Sequence, residues 1–129
     1  MLGPETRSTL PLFERFPCLA DSIPRIAIGN WPTPLAQLTN FAKAQGLSQL
    51  YAKREDLNHA VCGGSKLRGL EFLLGRAREL NAKTIITFGA VGSHHVRTTA
   101  WHAGKLGIDT VALVMSQPGA DYVRHNLLA

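Results

Sequence analysis

The chain has 129 residues and a net charge of +5, with 45% hydrophobic and 18% charged residues. A chain of this size and composition can bury a hydrophobic core as one domain, which excludes an intrinsically disordered protein. No apolar run approaches the roughly 20 residues that cross a bilayer, and Met1–Pro17 lacks the apolar stretch of a secretory signal. We therefore expect a soluble, cytoplasmic protein with no membrane association. Cys18 and Cys62 are too widely separated to indicate a disulfide framework.

The first 30 residues contain four prolines. Proline restricts the backbone and cannot donate a hydrogen bond, so residues 1–30 are predicted to form an extended lead-in with at most short strands. A helix is then predicted with Thr33 as its N-cap, Pro34 as its first residue and Gly46 at its end. A short strand is expected over residues 49–53.

The second half of the chain alternates between helical and strand patterns. The predicted elements are a helix from Ser65, a strand over Thr84–Phe88, a helix capped by Ser93, a buried strand over Thr110–Met115 and a helix from about Asp121. Strand, glycine turn, helix and strand within about 30 residues form a βαβ unit, whose strands are parallel. We therefore predict an α/β fold with a parallel sheet for residues 31–129.

Positive charge is concentrated between Lys66 and Lys105, where seven cations and two anions leave +5, so that the rest of the chain sums to zero. Such a bias suits an anionic small molecule, or nucleic acid at a distance. The alternative interpretation is that these cations belong to solvated helix faces.

Three other kinds of site are disfavoured by the sequence. Adjacent His94 and His95 point about 100° apart on a helix, and together with His59 and His102 they contain no HxxxH pair, so we predict no metal site. Aromatic residues make up only 7% and form no stacking motif, so we predict no nucleic-acid partner. The glycine turn at 89–93 lacks the GxGxxG spacing of a dinucleotide-binding loop.

Four motifs, in order, resemble those of one enzyme family. They are Pro32-Thr33-Pro34-Leu35, Lys53-Arg54-Glu55-Asp56-Leu57, Gly63-Gly64-Ser65-Lys66-Leu67-Arg68 followed by Leu70-Glu71-Phe72, and Gly89-Ala90-Val91-Gly92-Ser93-His94-His95. Over roughly residues 23–128 they resemble the family of D-cysteine desulfhydrase and 1-aminocyclopropane-1-carboxylate (ACC) deaminase, which depends on pyridoxal 5′-phosphate. The resemblance implies that cofactor, a small amino-acid substrate, a possible homodimer, and the N-terminal portion of the tryptophan-synthase-β-like fold (fold type II).

The resemblance also implies roles for individual residues. Lys66 matches the catalytic lysine that holds the cofactor as a Schiff base and moves the proton on the substrate Cα, and Ser93 matches the serine that receives the substrate carboxylate. His94 lies where the family has an asparagine that contacts the cofactor, and His95 lies at a variable position beside the substrate. A lysine attacks an aldehyde in its neutral form, which partial burial and cations such as Arg68 are expected to favour. Glycines before the lysine would let a planar ring approach the backbone.

Four positions depart from the family pattern, namely Ser65, Gly69, Gly92 and His94. Relatives are also longer, and their later part supplies the phosphate-binding loop. Two functions therefore stay open. The first is D-cysteine desulfhydrase-like elimination to pyruvate, ammonia and sulfide, or ACC deaminase-like ring opening. The second is a truncated, catalytically inactive N-terminal fragment that associates through an open sheet edge.

Overall fold

The computed structural model describes residues 10–128. Its elements are α1 (Pro11–Arg15), α2 (Leu19–Ser22), β1 (Leu35–Gln37), α3 (Thr39–Ala44), β2 (Tyr51–Lys53), a 3₁₀ helix (Glu55–Leu57), α4 (Leu67–Glu79), β3 (Thr84–Ala90), α5 (His94–Lys105), β4 (Asp109–Met115) and α6 (Asp121–Leu128). Within residues 10–128, no helix has the length and apolar character needed to cross a membrane.

The centre of the fold is the βαβ unit formed by β3, α5 and β4. The two strands pair in parallel, with a register that runs from Thr84 opposite Asp109 to Ala90 opposite Met115. After α5, Gly107 has a φ of +72°, a left-handed conformation that glycine adopts readily at the end of a helix. The predicted α/β fold with a parallel sheet is confirmed.

The hydrophobic core lies where α4 and α5 pack beside this sheet. Leu70 and Leu74 of α4 meet Ala103 of α5 and Ile108, which lies just before β4, and Ile26 of the N-terminal segment joins them. The leucines recur at helical spacing, so one face of α4 is apolar, and the structure buries it.

The buried carboxylate of Glu71 ties the segment before β1 to α4. Its side chain is 2% exposed. Oε1 accepts hydrogen bonds from the N–H groups of Ile28 at 3.0 Å and Gly29 at 3.1 Å, and from Trp31 Nε1 at 2.7 Å. Oε2 accepts from Arg25 Nε at 2.7 Å. One helical side chain therefore fixes an irregular segment that has few backbone bonds of its own.

The predicted helix from Thr33 is wrong. Residues 35–37 form β1, which pairs antiparallel with β2, and the helix α3 begins only at Thr39. Thr33 does not cap a helix; its hydroxyl donates to Glu55 Oε1 at 2.8 Å. The Pro34 carbonyl accepts from the Arg54 N–H at 2.9 Å, which continues the β1–β2 ladder. Strand pairing with a distant segment therefore overrides the local capping pattern.

The predicted extended lead-in also needs correction. Within its described part, α1 and α2 are short helices, and Pro11 is the first residue of α1. Proline is tolerated in the first turn, where its missing N–H has no partner within the helix. Pro17 and Pro24 lie outside both helices, so the prolines delimit short helices here rather than exclude them.

Residues 10–128 cover only one face of the parallel sheet. On β3, Ile85 and Thr87 face the helices, whereas Ile86 and Phe88 are 70% and 76% exposed. On β4, Leu113 is 60% exposed, and most of the strand is similarly exposed, so the predicted burial of β4 is wrong for these residues. The strands have the apolar composition of a sheet buried on both faces, but α5 packs against only one of them.

Candidate functional site

Two glycine-containing loops meet at the N-termini of α4 and α5. We call residues 63–66, which lead into α4, the lysine loop, and residues 89–93, which lead into α5, the serine loop. His94, the first residue of α5, joins them, because its Nε2 lies 2.7 Å from the Gly63 carbonyl oxygen and donates to it. The loop that carries Lys66 is thereby held at the N-terminus of α5.

The lysine loop is fixed by the side chain of Asn58, which is fully buried. Asn58 Nδ2 donates to the Gly64 carbonyl at 3.0 Å, and Asn58 Oδ1 accepts from the Gly64 N–H at 2.8 Å. A Cβ on Gly63 would lie only 2.5 Å from Asn58 Oδ1, and Gly64 has a φ of +110°. As expected, the missing side chain of glycine lets another group approach the backbone closely. At Gly63, however, that group is the Asn58 side chain.

The chain just before the lysine loop is held on α5 by a buried cluster around Cys62. The Cys62 N–H donates to His59 Nδ1 at 2.9 Å, and the Cys62 carbonyl accepts from His102 Nε2 at 3.2 Å. Cys62 Sγ lies 3.7 Å from Thr98 Oγ1, and the His59 and His102 rings pack edge to face at 4.8 Å. Among residues 10–128, no group of three or more histidine, cysteine or acidic side chains is arranged to hold a metal ion.

Burial of His102 makes the stability of this cluster depend on pH. Burial lowers the pKa of His102 from its ordinary 6.5, although the hydrogen bond to the Cys62 carbonyl acts in the opposite direction. Between the lowered pKa and 6.5 the unfolded chain binds the proton that the folded chain excludes, so stability falls as the pH drops below about 6.5. We expect the His102→Gln variant to show a shallower loss of unfolding free energy between about pH 7 and pH 5.

Urea unfolding across this pH range measures the effect. His125→Gln, at an exposed position in α6, is the matched control for the loss of an imidazole. Equal pH slopes for the wild type and His102→Gln would contradict the prediction.

The serine loop is held by two carboxamide side chains from the C-terminal part of the chain. Gln117 Oε1 accepts from the Gly92 N–H at 3.1 Å, and Asn126 Nδ2 donates to the Gly92 carbonyl at 2.8 Å. A Cβ on Gly92 would lie 2.8 Å from the Cα of Val123 in α6. Gly92 departs from the family pattern, and the packing of α6 requires a glycine there because a larger residue would collide with Val123. Ser93 caps α5 as predicted, with its Oγ accepting from the helix at 3.4 Å.

Arg68 does not serve as a free cation beside Lys66. Its Nε and Nη2 donate to the two oxygens of Glu55 at 2.8 and 2.7 Å, and its guanidinium stacks on the Trp31 ring at 4.1 Å. This bidentate pair holds the pKa of the Glu55 carboxyl below its ordinary value. Lys66 itself is exposed, so the expectation of partial burial is also not met.

His95 lies among residues from α4 and β3. It lines a cavity of about 310 Å³ together with Leu70, Leu74 and Thr99. His95 Nδ1 and Thr99 Oγ1 are buried there without a hydrogen-bond partner among the described residues. His94 and Lys66 are therefore associated through the lysine loop, while His95 contributes to the interior between α4 and α5.

The sequence interpretation missed the three carboxamides, Asn58, Gln117 and Asn126. Asparagine side chains commonly bind backbone groups in turns, so Asn58, only six residues from Gly64, carried a usable local signal. Gln117 and Asn126 bind Gly92 from 25 and 34 residues away along the chain. A local sequence pattern cannot indicate contacts over such separations.

Residues 26–125 match the model of a family described as pyridoxal-phosphate dependent enzymes. Nocardicin C-9′ epimerase from Nocardia uniformis subsp. tsuyamanensis is 43% identical over 109 residues, which cover 84% of this chain and 32% of the epimerase. A putative ACC deaminase from Pyrococcus furiosus is 41% identical over 110 residues, covering 85% of this chain and 32% of that protein. D-cysteine desulfhydrase from Salmonella paratyphi A is 44% identical over 96 residues, covering 74% and 29%.

The fold has a counterpart among solved structures. A crystal structure of an ACC deaminase homologue superposes with a TM-score of 0.76 and 32% identity, and the match covers 94% of this chain and 36% of that one. The chain therefore spans about a third of the length of the relatives it matches.

Proposed function

This chain belongs to the pyridoxal-phosphate-dependent enzyme family, and we propose that it supplies the lysine and the carboxylate-binding loop of an enzyme that cleaves a small amino acid. The observation that carries the proposal is the 2.7 Å contact between His94 Nε2 and the Gly63 carbonyl. This contact joins the lysine loop to the N-terminus of α5, and a helix N-terminus favours bound anions. The loop that carries a primary amine is thereby held against a helix N-terminus that can bind an anion.

The residues of the two loops suit pyridoxal 5′-phosphate. Lys66 is exposed, so its amine is accessible to an aldehyde. Because His94 Nε2 donates to Gly63, the other ring nitrogen of a neutral His94, Nδ1, is an acceptor that can receive a hydrogen bond from a hydroxyl group. The two loops therefore carry an amine, an imidazole and a hydroxyl group, and each of these is a group that this cofactor or an amino-acid substrate can use.

Each residue would then have one task. Lys66 Nζ would hold the cofactor and would afterwards move the proton on the substrate Cα as a general base. Ser93 Oγ already accepts a bond from the helix, so its O–H proton can be donated to the substrate carboxylate at the positive end of α5. His95 receives no substrate contact in this proposal, because its ring lines the cavity with Leu70, Leu74 and Thr99. What pyridoxal phosphate supplies when bound is an electron sink next to the Cα.

We propose D-cysteine as the preferred kind of substrate. Loss of its Cα proton and its thiol, followed by hydrolysis, yields pyruvate, ammonia and sulfide. Ring opening of ACC is the alternative that would use the same groups. The relatives with these two names are 44% and 41% identical to this chain. They support the cleavage of a small amino acid, but the two identities are too similar to favour one of the two reactions.

The test is an assay of the purified chain with pyridoxal phosphate and each amino acid in turn. Release of ammonia together with sulfide from D-cysteine is the expected result, and ammonia from ACC without sulfide would favour the alternative. L-cysteine is the stereochemical control. The proposal fails for this chain if a Lys66→Ala variant releases the same products at the same rate.

The exposed sheet face favours a second candidate function, in which a catalytically inactive chain associates with a second copy of itself through this face rather than through an open sheet edge. Ile86, Phe88, Val111, Leu113 and Met115 alternate along β3 and β4, and each is 47% exposed or more. None of them is charged, so two copies of a chain with a net charge of +5 can join here without like charges meeting. The same apolar patch on both partners suits a twofold interface, and contiguous patches of this kind mark association sites.

Replacing Phe88, the most exposed of these side chains at 76%, with lysine is expected to weaken self-association at least tenfold. The reason is that a charge in an apolar interface loses its hydration without gaining a partner. Sedimentation velocity over a concentration series measures the dimer fraction. Leu80→Lys, at an exposed position after α4, is the control. A wild-type chain that sediments as a monomer at all concentrations would contradict this candidate.

A further inference from the structure

We infer that Asn58 is a positioning residue that sets where Lys66 stands; this inference rests on the role proposed for Lys66. The Asn58 side chain is fully buried and binds both polar backbone groups of Gly64, the N–H at 2.8 Å and the carbonyl at 3.0 Å. Gly64 lies two residues before Lys66.

The Gly64 carbonyl also begins the helix that follows. It accepts from the Leu67 N–H at 3.1 Å in addition to Asn58 Nδ2. Lys66 is the N-cap of α4 and makes no capping bond with its side chain, so its backbone is placed by this turn. A displacement of Gly64 would therefore move the Lys66 Cα and the start of α4 together.

Asn58 is itself held firmly. Its carbonyl accepts from the Asn30 N–H at 2.7 Å, which connects it to the segment that Glu71 anchors. On the other side of the lysine loop, His94 binds Gly63 at 2.7 Å. Two adjacent residues of the loop, Gly63 and Gly64, are therefore each bound by a side chain from a different part of the chain. Hydrogen bonds of this kind around a reactive residue keep its side chain in a defined position.

The experiment measures where pyridoxal phosphate attaches. The chain has five lysines, Lys43, Lys53, Lys66, Lys83 and Lys105, so the other four report the background reaction. After brief exposure to pyridoxal phosphate and reduction with borohydride, peptide mass spectrometry gives the share of label on each lysine. The wild type is expected to concentrate label on Lys66, and Asn58→Ala is expected to lower that preference about tenfold, because small misplacements of reacting groups have large effects on rate.

Two further variants separate positioning from general destabilisation. Asn58→Asp has nearly the same shape and can accept from the Gly64 N–H but, when ionised, cannot donate to its carbonyl, so an intermediate preference is expected. Leu74→Ala makes a cavity elsewhere in α4 and should keep the wild-type preference wherever circular dichroism shows it to be folded. Asn40→Ala, at an exposed position in α3, controls for the loss of an asparagine. If Asn58→Ala does not fold, Asn58→Asp alone decides the question.

Amide hydrogen exchange at Gly64, measured without cofactor, separates failure of this inference from failure of the proposed function. Faster exchange in Asn58→Ala, where the Gly64 N–H keeps only the Glu55 carbonyl as an acceptor, supports the inference. Exchange and labelling equal to those of the wild type in this variant overturn it. A wild-type chain that labels its five lysines evenly overturns the proposed role of Lys66. In that case the exchange rate at Gly64 still decides whether Asn58 positions the loop.

Discussion

The wild-type chain is expected to absorb violet light when it binds pyridoxal phosphate, and borohydride is expected to reduce the Schiff base at Lys66 to a stable adduct. A Lys66→Ala chain is expected to lose both this absorbance and the adduct at this position. The reason is chemical, since an alanine has no amine with which an aldehyde can condense. Lys66 is exposed and is the N-cap of α4 without a side-chain cap, so its removal should change the unfolding free energy by no more than about 0.5 kcal/mol. A loss of cofactor attachment in a chain of unchanged stability would therefore show that the cofactor attaches at Lys66.

Lys66→Arg tests whether charge alone explains cofactor binding. Arginine stays protonated and does not form the adduct, although it can still attract a phosphate group. Reversible binding without violet absorbance is the expected result for this variant. Lys83→Ala, at an exposed position before β3, is the matched control and should behave as the wild type does. An adduct of wild-type intensity in Lys66→Ala would show that another lysine carries the cofactor.

The parts of the fold that the sequence predicts correctly are those specified by nearby residues. The buried face of α4 follows from leucines at helical spacing. Ser93 caps α5 because a serine hydroxyl can accept from the free N–H groups of a first turn. The parallel pairing of β3 and β4 follows because a strand, a glycine turn, a helix and a second strand occur within a short stretch of chain.

The predictions that were wrong concern segments whose structure is decided elsewhere in the chain. Thr33 and Pro34 have the pattern of a helix start, but Glu55 and the backbone of Arg54 bind them as part of a strand pair. Arg68 was expected to act on Lys66, yet the bidentate contact with Glu55 occupies it. Neither outcome can be read from a local pattern, because each depends on a side chain or backbone group 13 or more residues away.

The candidate site combines both kinds of information. Sequence motifs make Lys66 and Ser93 candidates, whereas only the structure shows that His94 connects their loops. Carboxamides then bind the backbone on each side, Asn58 at Gly64 and Asn126 at Gly92. An amide side chain both donates and accepts without carrying charge, so it can fix a glycine backbone without adding a fixed charge next to an anionic ligand.

The stability of this arrangement is expected to depend most strongly on Glu71. Glu71→Ala removes a buried acceptor that serves the backbone N–H groups of Ile28 and Gly29, Trp31 Nε1 and the guanidinium of Arg25. Removing one partner of a buried ion pair costs about 3–5 kcal/mol, which is a large part of the 5–15 kcal/mol of a typical domain. We expect the unfolding free energy of the variant to be about 3–5 kcal/mol lower than that of the wild type, as measured by urea unfolding followed by circular dichroism.

Glu71→Gln separates the charge from the hydrogen bonds. Its carbonyl oxygen can still accept from the segment before β1, but its NH₂ group would face the Arg25 donors, so a smaller loss of about 1–3 kcal/mol is expected. Glu79→Gln is the matched control on the same helix, because Glu79 pairs with Arg76 at the exposed surface and such pairs contribute at most about 1 kcal/mol. If Glu71→Ala were no less stable than Glu79→Gln, Glu71 would not anchor the N-terminal segment. The connection from Glu71 through Asn30 and Asn58 to the lysine loop would then lose its support, since Asn30 lies in the segment that Glu71 holds.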